Sequence, residues 1–181
     1  YVNVLDKKSQ RLKKLIEDLV EASKASSGNV KLNIVDINLN ELLKQVIGEF
    51  EDKFDKKKLI IDLNLPEAET KIKADNRYMY RIIENLFSNI SKYSLDNTRV
   101  YINLINSNNK IKLEIKNVSK ERLNISSDEL MQRFVRGDKS RFTEGSGLGL
   151  SIAKSLTELQ NGSFNIEIDG DLFKAILEWN A

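Results

Sequence analysis

The sequence predicts an α+β fold, a two-layer sandwich in which helices cover one face of a mixed β-sheet, with a further helix at the N-terminus. Segments with the helical period of apolar residues alternate with segments of period two, but without the regular strand–helix–strand repeat of parallel sheets. Polar turns at 107–109 and 169–171 each join two strand-like segments, which is typical of antiparallel hairpins. The 181 residues, of which 40% are hydrophobic, suffice for one core and an appendage.

Composition excludes several classes of function. The chain contains neither cysteine nor histidine, which excludes disulfides, thiolate and imidazole metal sites and a serine–histidine triad, and suits a reducing compartment. The 29 basic residues nearly balance the 27 acidic ones, which argues against a dedicated nucleic-acid-binding protein. No apolar run approaches the roughly 18 residues that a membrane-spanning helix needs.

The N-terminal segment has the pattern of a coiled-coil seam. Its apolar residues recur at the three-four spacing of a heptad, and they are Leu5, Leu12, Leu15, Leu19 and Ala22. We predict a helix over 1–27 that ends at Gly28. The pattern fits packing on the chain's own domain as well as packing on a partner helix.

The remaining helices and strands follow from periodicity and capping. We predict a strand at 30–37, a helix at 39–55, strands at 58–64 and 70–74, a helix at 76–93, a hairpin of 98–106 and 110–116, a helix at about 147–160, and a hairpin of 163–168 and 172–179. Asn38 or Asn40 can cap the first of these helices, and Asp75 or Asn76 the second. Residues 117–144 show no clear periodicity, which is typical of a functional segment.

A glycine-rich segment precedes the helix at 147–160. Gly145, Gly147 and Gly149 allow the backbone to approach a ligand and to point several N–H groups at one anion, and the helix N-terminus favours phosphate. The spacing matches neither the dinucleotide-binding fingerprint nor the P-loop. The alternative is a hinge that binds no ligand.

Two asparagines lie one turn apart on the helix at 76–93. Asn85 and Asn89 share one side of this helix, and Lys92 and Tyr93 continue that side. An asparagine oxygen suits a Mg²⁺ ion that phosphates and water also hold, and a lysine can meet phosphate as a point charge. The alternative is that both asparagines are ordinary surface residues.

A basic cluster lies between these two segments. Within 131–141, four basic residues stand against Asp138, and they are Arg133, Arg136, Lys139 and Arg141. Such a cluster could clamp a triphosphate. The alternative is a solvated charged loop.

In their order along the chain, the three segments resemble the ATP-binding catalytic domain of bacterial sensor histidine kinases of two-component systems, over about 34–179. Residues 85–93 resemble the family's asparagine box, 134–141 the segment before the lid, and 145–154 the second glycine box. Residues 1–29 resemble the second helix of the dimerisation and phosphotransfer hairpin. The resemblance therefore divides the chain into that partial hairpin and an ATP-binding domain at 30–181.

The resemblance implies the Bergerat ATP-binding fold, shared with DNA gyrase and mismatch-repair ATPases, and Mg²⁺-ATP as its ligand. Asn89 would hold Mg²⁺, and Asn85 stands where related ATPases carry a general-base glutamate. Asn85 or Glu84 would orient the attacking imidazole, and Arg136 would approach the terminal phosphate. The other residues that the resemblance places at the nucleotide are Lys92, Tyr93, Gly145, Gly147, Leu148 and Gly149.

The implied activity is transfer of the γ-phosphate of ATP to a histidine located outside this chain. The implied partners are a histidine-bearing phosphotransfer helix, a response regulator and a second copy of the full-length protein, with no nucleic acid. The implied location is a cytoplasmic domain whose parent protein sits at the inner face of the cell membrane.

Two departures from the family pattern matter. The chain has no histidine to phosphorylate, and the first glycine box, usually Asp-x-Gly-x-Gly, is replaced by residues 117–121. Asn117 would replace the aspartate that accepts a hydrogen bond from the adenine amino group, so we expect weaker ATP binding. The eroded box leaves open a non-catalytic nucleotide-sensing or scaffold module, and an ATP-hydrolysing member of the superfamily is a further alternative.

Overall fold

The computed structural model describes residues 30–123 and 148–180, Ser126, and part of the segment from 6 to 27. Between 30 and 180 the described elements are β1 (Ile34–Asn38), α1 (Leu39–Lys56), β2 (Ile60–Asn64), β3 (Lys71–Asp75), α2 (Asn76–Tyr93), β4 (Arg99–Ser107), β5 (Lys110–Val118), α3 (Gly149–Leu159), β6 (Ser163–Asp169) and β7 (Leu172–Asn180). Their order is the one predicted. The largest difference is at β1, which begins at Ile34 rather than at residue 30.

Side-chain caps set the starts of the first two helices. The Asn38 side chain accepts hydrogen bonds from two backbone N–H groups in the first turn of α1, at 3.0 and 3.4 Å. Asp75 does the same for α2, at 3.0 and 3.3 Å. In both predicted pairs of capping candidates, the earlier residue is therefore the cap, because its oxygen reaches the otherwise unpaired donors of the first turn.

Five strands form a mixed sheet in the order β2-β4-β5-β7-β6, with β2 parallel to β4 and all other pairs antiparallel. Both predicted hairpins are present. Asn108 and Asn109 both have positive φ, as a two-residue turn of type I′ requires, and Gly170 has a φ of +58° in the second turn. The prediction of a single sheet is incomplete, because β1 and β3 pair with each other in a separate antiparallel ribbon.

The five-stranded sheet has one apolar face and one polar face. The buried apolar residues of its central strands are Val100, Ile102, Leu104, Ile111, Leu113, Ile115, Phe173, Ala175, Leu177 and Trp179. These side chains belong to one core with the helices, in which Phe50 of α1 packs edge-on against Phe87 of α2, with ring centroids 5.9 Å apart. The other face carries charges, such as Glu114 at 2.9 Å from Lys112. Helices on one face of a mixed sheet confirm the predicted architecture.

The described residues between 6 and 27 are helical, as predicted. Of the five apolar seam residues, only Leu12 lies among the described residues, and it is exposed. Ile16 and Val20 continue this exposed stripe at helical spacing, with exposed fractions of 55% and 46%. None of the helices described has the length and hydropathy of a membrane span.

Candidate functional site

Helix α2 carries the two asparagines of interest, and hydrogen bonds hold its N-terminus in place. The Asp75 carboxylate accepts a further hydrogen bond from the Asn33 N–H at 2.8 Å. The Asp75 N–H in turn donates to Gln160 Oε1 at 2.7 Å, and Gln160 Nε2 donates to the Leu156 carbonyl at 3.1 Å. Because Leu156 belongs to α3, these bonds fix the first turn of α2 relative to the end of α3.

Asn85 lies buried between α2 and the first residue of α3. Its exposed fraction is 9%, and its Nδ2 has no hydrogen-bond partner among the residues that the structure describes. Its Oδ1 faces Gly149, where an added Cβ atom would lie 3.4 Å away. A buried amide donor without a partner costs about 1–3 kcal/mol, so this arrangement is one that a polar ligand would complete.

The start of α3 faces this amide and can bind an anion. Leu148 precedes the helix, and its side chain offers no acceptor for the first N–H groups. Backbone donors at the N-terminus of a helix combine with the helix dipole to favour negative charge. Arg136, Gly145 and Gly147, which the family resemblance predicts at the same site, lie outside the described residues.

The remaining predicted residues of α2 lie nearer to solvent. Asn89 and Tyr93 are half-buried, and Lys92 is exposed. At the end of the helix, Lys57 Nζ donates to the carbonyls of Lys92 and Ser94, at 3.2 and 2.8 Å. A cation suits the negative end of the helix dipole and satisfies carbonyls that the helix leaves unpaired.

Asn117 lies where the end of β5 meets the end of α2. The Leu95 N–H donates to the Val118 carbonyl at 2.9 Å, which joins the two elements. Asn117 Nδ2 donates to Ser94 Oγ at 2.9 Å, and both residues are buried. Asn117 Oδ1 is also buried and has no hydrogen-bond partner within the described part of the chain. The site therefore has a second unpaired polar atom, which is an acceptor.

Glu84 forms an ion pair with Arg81, one turn before Asn85. Arg81 Nη1 lies 2.6 Å from the Glu84 carboxylate, and Arg81 Nε lies 2.8 Å from the carboxylate of Glu21 in the N-terminal helix. Burial lowers the pKa of Arg81, but the hydrogen bonds to Glu84 and Glu21 outweigh burial and keep this pKa above its usual value. Of the two predicted orienting residues, Asn85 is thus the one that faces α3.

Three residues that sequence reasoning missed support the site. Arg81 lies one turn before Asn85 on the same side of α2, which is the spacing that could have pointed to it. Ser94 is the first residue after α2 and meets Asn117 across the chain. Gln160 had no local signal, because its partner Asp75 is far away in sequence.

The described residues contain no group of three or more acidic side chains that could hold a metal ion by themselves. A Mg²⁺ ion bound with phosphates and water needs only one or two protein oxygens. Asn89 Oδ1 fits that role by its chemistry.

The sequence model of one family, described as histidine kinase-, DNA gyrase B-, and HSP90-like ATPase, matches residues 74–177. "Probable sensor protein PcoS" of Escherichia coli is 31% identical to this chain over 163 residues, which cover 89% of the chain and 34% of that protein. The chain thus spans about a third of the length of this relative, and a second, HprS of Escherichia coli K12, is matched over a similar share of 33%.

Solved structures with the same fold include a complex with AMPPNP and a complex with a response regulator protein. ShkA in complex with AMPPNP superposes with a TM-score of 0.78 at 20% identity, over 98% of this chain and 37% of that one. Histidine kinase ThkA in complex with response regulator protein TrrA superposes with a TM-score of 0.74 at 22% identity, over 99% of this chain and 50% of that one.

Proposed function

Because the chain belongs to the family of histidine kinase-, DNA gyrase B- and HSP90-like ATPases, we propose that it is the ATP-binding catalytic domain of a sensor histidine kinase. The membership confirms the family resemblance that the sequence predicts. Support for the kinase comes from relatives named as sensor proteins and sensor histidine kinases. The domain would transfer the γ-phosphate of ATP to a histidine supplied from outside this chain.

The observation that carries this proposal is the buried amide of Asn85, which faces the start of α3 and whose Nδ2 has no hydrogen-bond partner among the described residues. A phosphate chain placed there would accept hydrogen bonds from Asn85 Nδ2 and from the first N–H groups of α3. The second atom without a partner, Asn117 Oδ1, lies beside Ser94, which directly follows α2 and is nine residues after Asn85. At a rise of 1.5 Å per helical residue, Asn85 and Ser94 are roughly 13 Å apart along the helix axis. This distance suits a nucleotide with its base at one end and its phosphates at the other.

Asn89 is proposed as the protein ligand of Mg²⁺. When bound, this ion would neutralise charge on the phosphate oxygens. Asn89 would hold it, and Lys92 would add a positive charge near the phosphates. Arg136, Gly145 and Gly147 remain predicted phosphate contacts outside the described residues.

In the proposed reaction, an imidazole nitrogen of the acceptor histidine attacks the γ-phosphorus. The new N–P bond forms as the bond between the γ-phosphorus and the bridging oxygen breaks, and that oxygen leaves on ADP. A neutral imidazole is already a nucleophile, so the chain needs to position it rather than deprotonate it. Asn85 is the residue proposed to orient it, because Arg81 already binds the Glu84 carboxylate.

The partners and location follow from the same proposal. The chain would meet a phosphotransfer helix that carries the acceptor histidine, and the full-length protein would form a homodimer. The phosphoryl group on the acceptor histidine would then pass to a response regulator. The parent protein would lie at the inner face of the cell membrane. ThkA in complex with TrrA supports a response regulator as partner.

The test is Mg²⁺-dependent binding of a fluorescent ATP analogue, competed with ATP and ADP. We expect competable binding that Asn89→Ala abolishes, because the variant removes the proposed metal ligand. Asn165→Ala, an exposed position on β6, is the matched control and should bind as the parent does. Equal Mg²⁺-ATP binding by Asn89→Ala and the parent would refute the role of Asn89.

A nucleotide-sensing module without transfer is the second candidate, favoured by Asn117 in place of the family's aspartate. Supplying a histidine-bearing hairpin with radiolabelled ATP separates the two functions. Labelled hairpin supports the kinase, whereas bound nucleotide without labelled hairpin supports the sensing module. Release of phosphate without labelled hairpin would instead indicate an ATPase. Asn85 argues against this outcome, because related ATPases carry a general-base glutamate at that position.

A further inference from the structure

Asn117 belongs to the core-facing row of β5, whose other members are apolar. Every second residue of this strand faces the core, and the preceding members of the row, Ile111, Leu113 and Ile115, are at most 2% exposed. Asn117 continues the row with an exposed fraction of 3%. The polar atoms of a buried asparagine side chain are normally each paired in a hydrogen bond.

The amide of Asn117 is only half satisfied. Its nitrogen donates to Ser94 Oγ at 2.9 Å, while its oxygen is buried without a partner among the described residues. This leaves an acceptor that a ligand donor, such as an exocyclic amino group, can complete. Ser94 is itself fully buried, so the pair is shielded from solvent that could compete for these bonds.

The contact between Asn117 and Ser94 works in both directions. A serine hydroxyl both donates and accepts, and an asparagine amide carries a donor and an acceptor of nearly the same shape. A half-turn of the amide would let Ser94 donate to Oδ1 and would leave Nδ2 unpaired instead. An aspartate at this position could not do so, because an ionised carboxylate only accepts.

From this reversibility, and resting on the proposed function, we propose that the site accepts both 6-amino and 6-keto purine nucleoside triphosphates. For ATP, the 6-amino group donates to Oδ1 in the orientation seen in the structure. For GTP or inosine triphosphate (ITP), the rotated Nδ2 donates to the 6-keto oxygen. Asn117 is thereby the residue that sets the breadth of base recognition.

A second contact of the amide sets the direction of preference. Asn117 Nδ2 also lies 3.5 Å from the Val118 carbonyl, and the rotated amide would place an oxygen there instead. At this length the bond is weak, so the orientation for ATP is favoured only slightly. We expect ATP to bind more tightly than the 6-keto nucleotides by about tenfold or less.

The test compares ATP, ITP and GTP as competitors of the same fluorescent analogue on the parent chain. ITP isolates the 6-position, because it lacks the 2-amino group of GTP. Asn117→Asp removes the amide donor, so it should weaken ITP and GTP by a further tenfold or more relative to ATP. Measurement on the parent does not depend on whether this variant folds.

The outcomes separate this inference from the proposed function. Competition by ATP together with ITP within about tenfold supports dual recognition, and competition by GTP extends it to guanine. Competition by ATP but not by ITP, even at a hundredfold higher concentration, overturns the inference and leaves the ATP site standing. Absence of competition by all three overturns the proposed nucleotide site, and the inference falls with it.

Discussion

At the scale of single residues, the site rests on two asparagines that each have one buried polar atom without a hydrogen-bond partner among the described residues. This atom is Nδ2 in Asn85 and Oδ1 in Asn117. Thr70 Oγ1 and Trp179 Nε1, away from the site, are also buried without a partner among the described residues, so a missing partner alone does not indicate a ligand. What distinguishes Asn85 is that its side chain faces the start of α3.

The space in front of Asn85 provides a test at this scale. Gly149→Ala would put a methyl group 3.4 Å from Asn85 Oδ1. We expect affinity for Mg²⁺-ATP to fall about tenfold, while the stability of the fold stays equal or rises by up to ~1 kcal/mol, because alanine favours helix more than glycine. Titration with the fluorescent analogue and thermal unfolding measure the two effects.

Gly48→Ala is the matched control for this substitution. It lies inside α1, where nothing is within 4 Å of an added Cβ atom, so stability should rise and affinity should not change. An unchanged affinity in Gly149→Ala would mean that the ligand does not use the space beside Asn85.

The sequence predicted the shared side of Asn85 and Asn89, because helical spacing alone decides it. It could not predict that one is buried and the other half-exposed. Burial of Asn85 depends on α3, which begins at Gly149, far along the chain. Local patterns carry no information about such a contact until the fold brings the two helices together.

At the scale of elements, the N-terminal helix is joined to α2 by the ion pair of Glu21 and Arg81. Their side chains are only 25% and 18% exposed, so solvent screens this pair less than a surface pair. Arg81 lies one turn before Asn85 on α2. The N-terminal helix therefore contacts the same side of α2 that carries the candidate site.

Removing this pair should loosen the N-terminal helix. For Glu21→Ala we expect amide hydrogen exchange within residues 6–27 to quicken about fivefold, since a partly buried pair contributes ~1 kcal/mol. Glu17→Ala is the control, because Glu17 is 62% exposed and lies 4.0 Å from Lys13. Equal exchange in Glu21→Ala and Glu17→Ala would show that the pair with Arg81 does not hold the helix.

Element positions were predictable where a cap or a turn marks them. Asn38, Asp75 and the turn at 107–109 each carry a local chemical signal, and each prediction is confirmed. The start of β1 was placed too early, since β1 pairs only with β3, and its register with β3 ends at the pair Ile34 and Asp75. A strand's length depends on its partner, which the sequence of the strand does not contain.

At the scale of the whole molecule, the sheet separates a polar outer face from the apolar face under the helices. Glu114 sits on the polar face between Lys112 and Lys174, at 2.9 and 3.4 Å. The hydrogen bond from Lys112 and the charge of Lys174 outweigh burial and hold the pKa of Glu114 below 4.5. The outer face is thus held together partly by charge across neighbouring strands.

This arrangement predicts how stability depends on pH. The lowered pKa in the folded state means that the unfolded state takes up the proton first, so the stabilisation by Glu114 is present above pH 4.5 and is lost as pH falls through the folded value. We expect Glu114→Gln to lower the free energy of unfolding by about 0.5–1 kcal/mol at pH 7. Urea unfolding at pH 7 and at lower pH measures it.

The difference between Glu114→Gln and the parent should vanish at low pH, where both side chains are neutral. Glu51→Gln, exposed on α1, is the control and should leave stability unchanged at either pH. A difference that persists unchanged in acid would attribute the effect to packing instead of charge.

The order of strands was beyond the reach of the sequence. The hairpins were predictable because their strands are adjacent in the chain, but the neighbours of β5 are β4 and β7, and β7 lies beyond α3. The parallel pair of β2 and β4 likewise joins strands that are separated by β3 and α2. Such pairings are settled by the packing of the entire core.

The ribbon of β1 and β3 has a mechanical consequence. β1 ends at Asn38 and α1 begins at the next residue, and β3 passes into α2 in the same way at Asp75. The Asp75 carboxylate also binds the backbone of Asn33, just ahead of β1. Because no loop separates either strand from the helix that follows it, we expect a change in the position of the chain at 30–33 to shift the start of α2, the helix that carries Asn85 and Asn89.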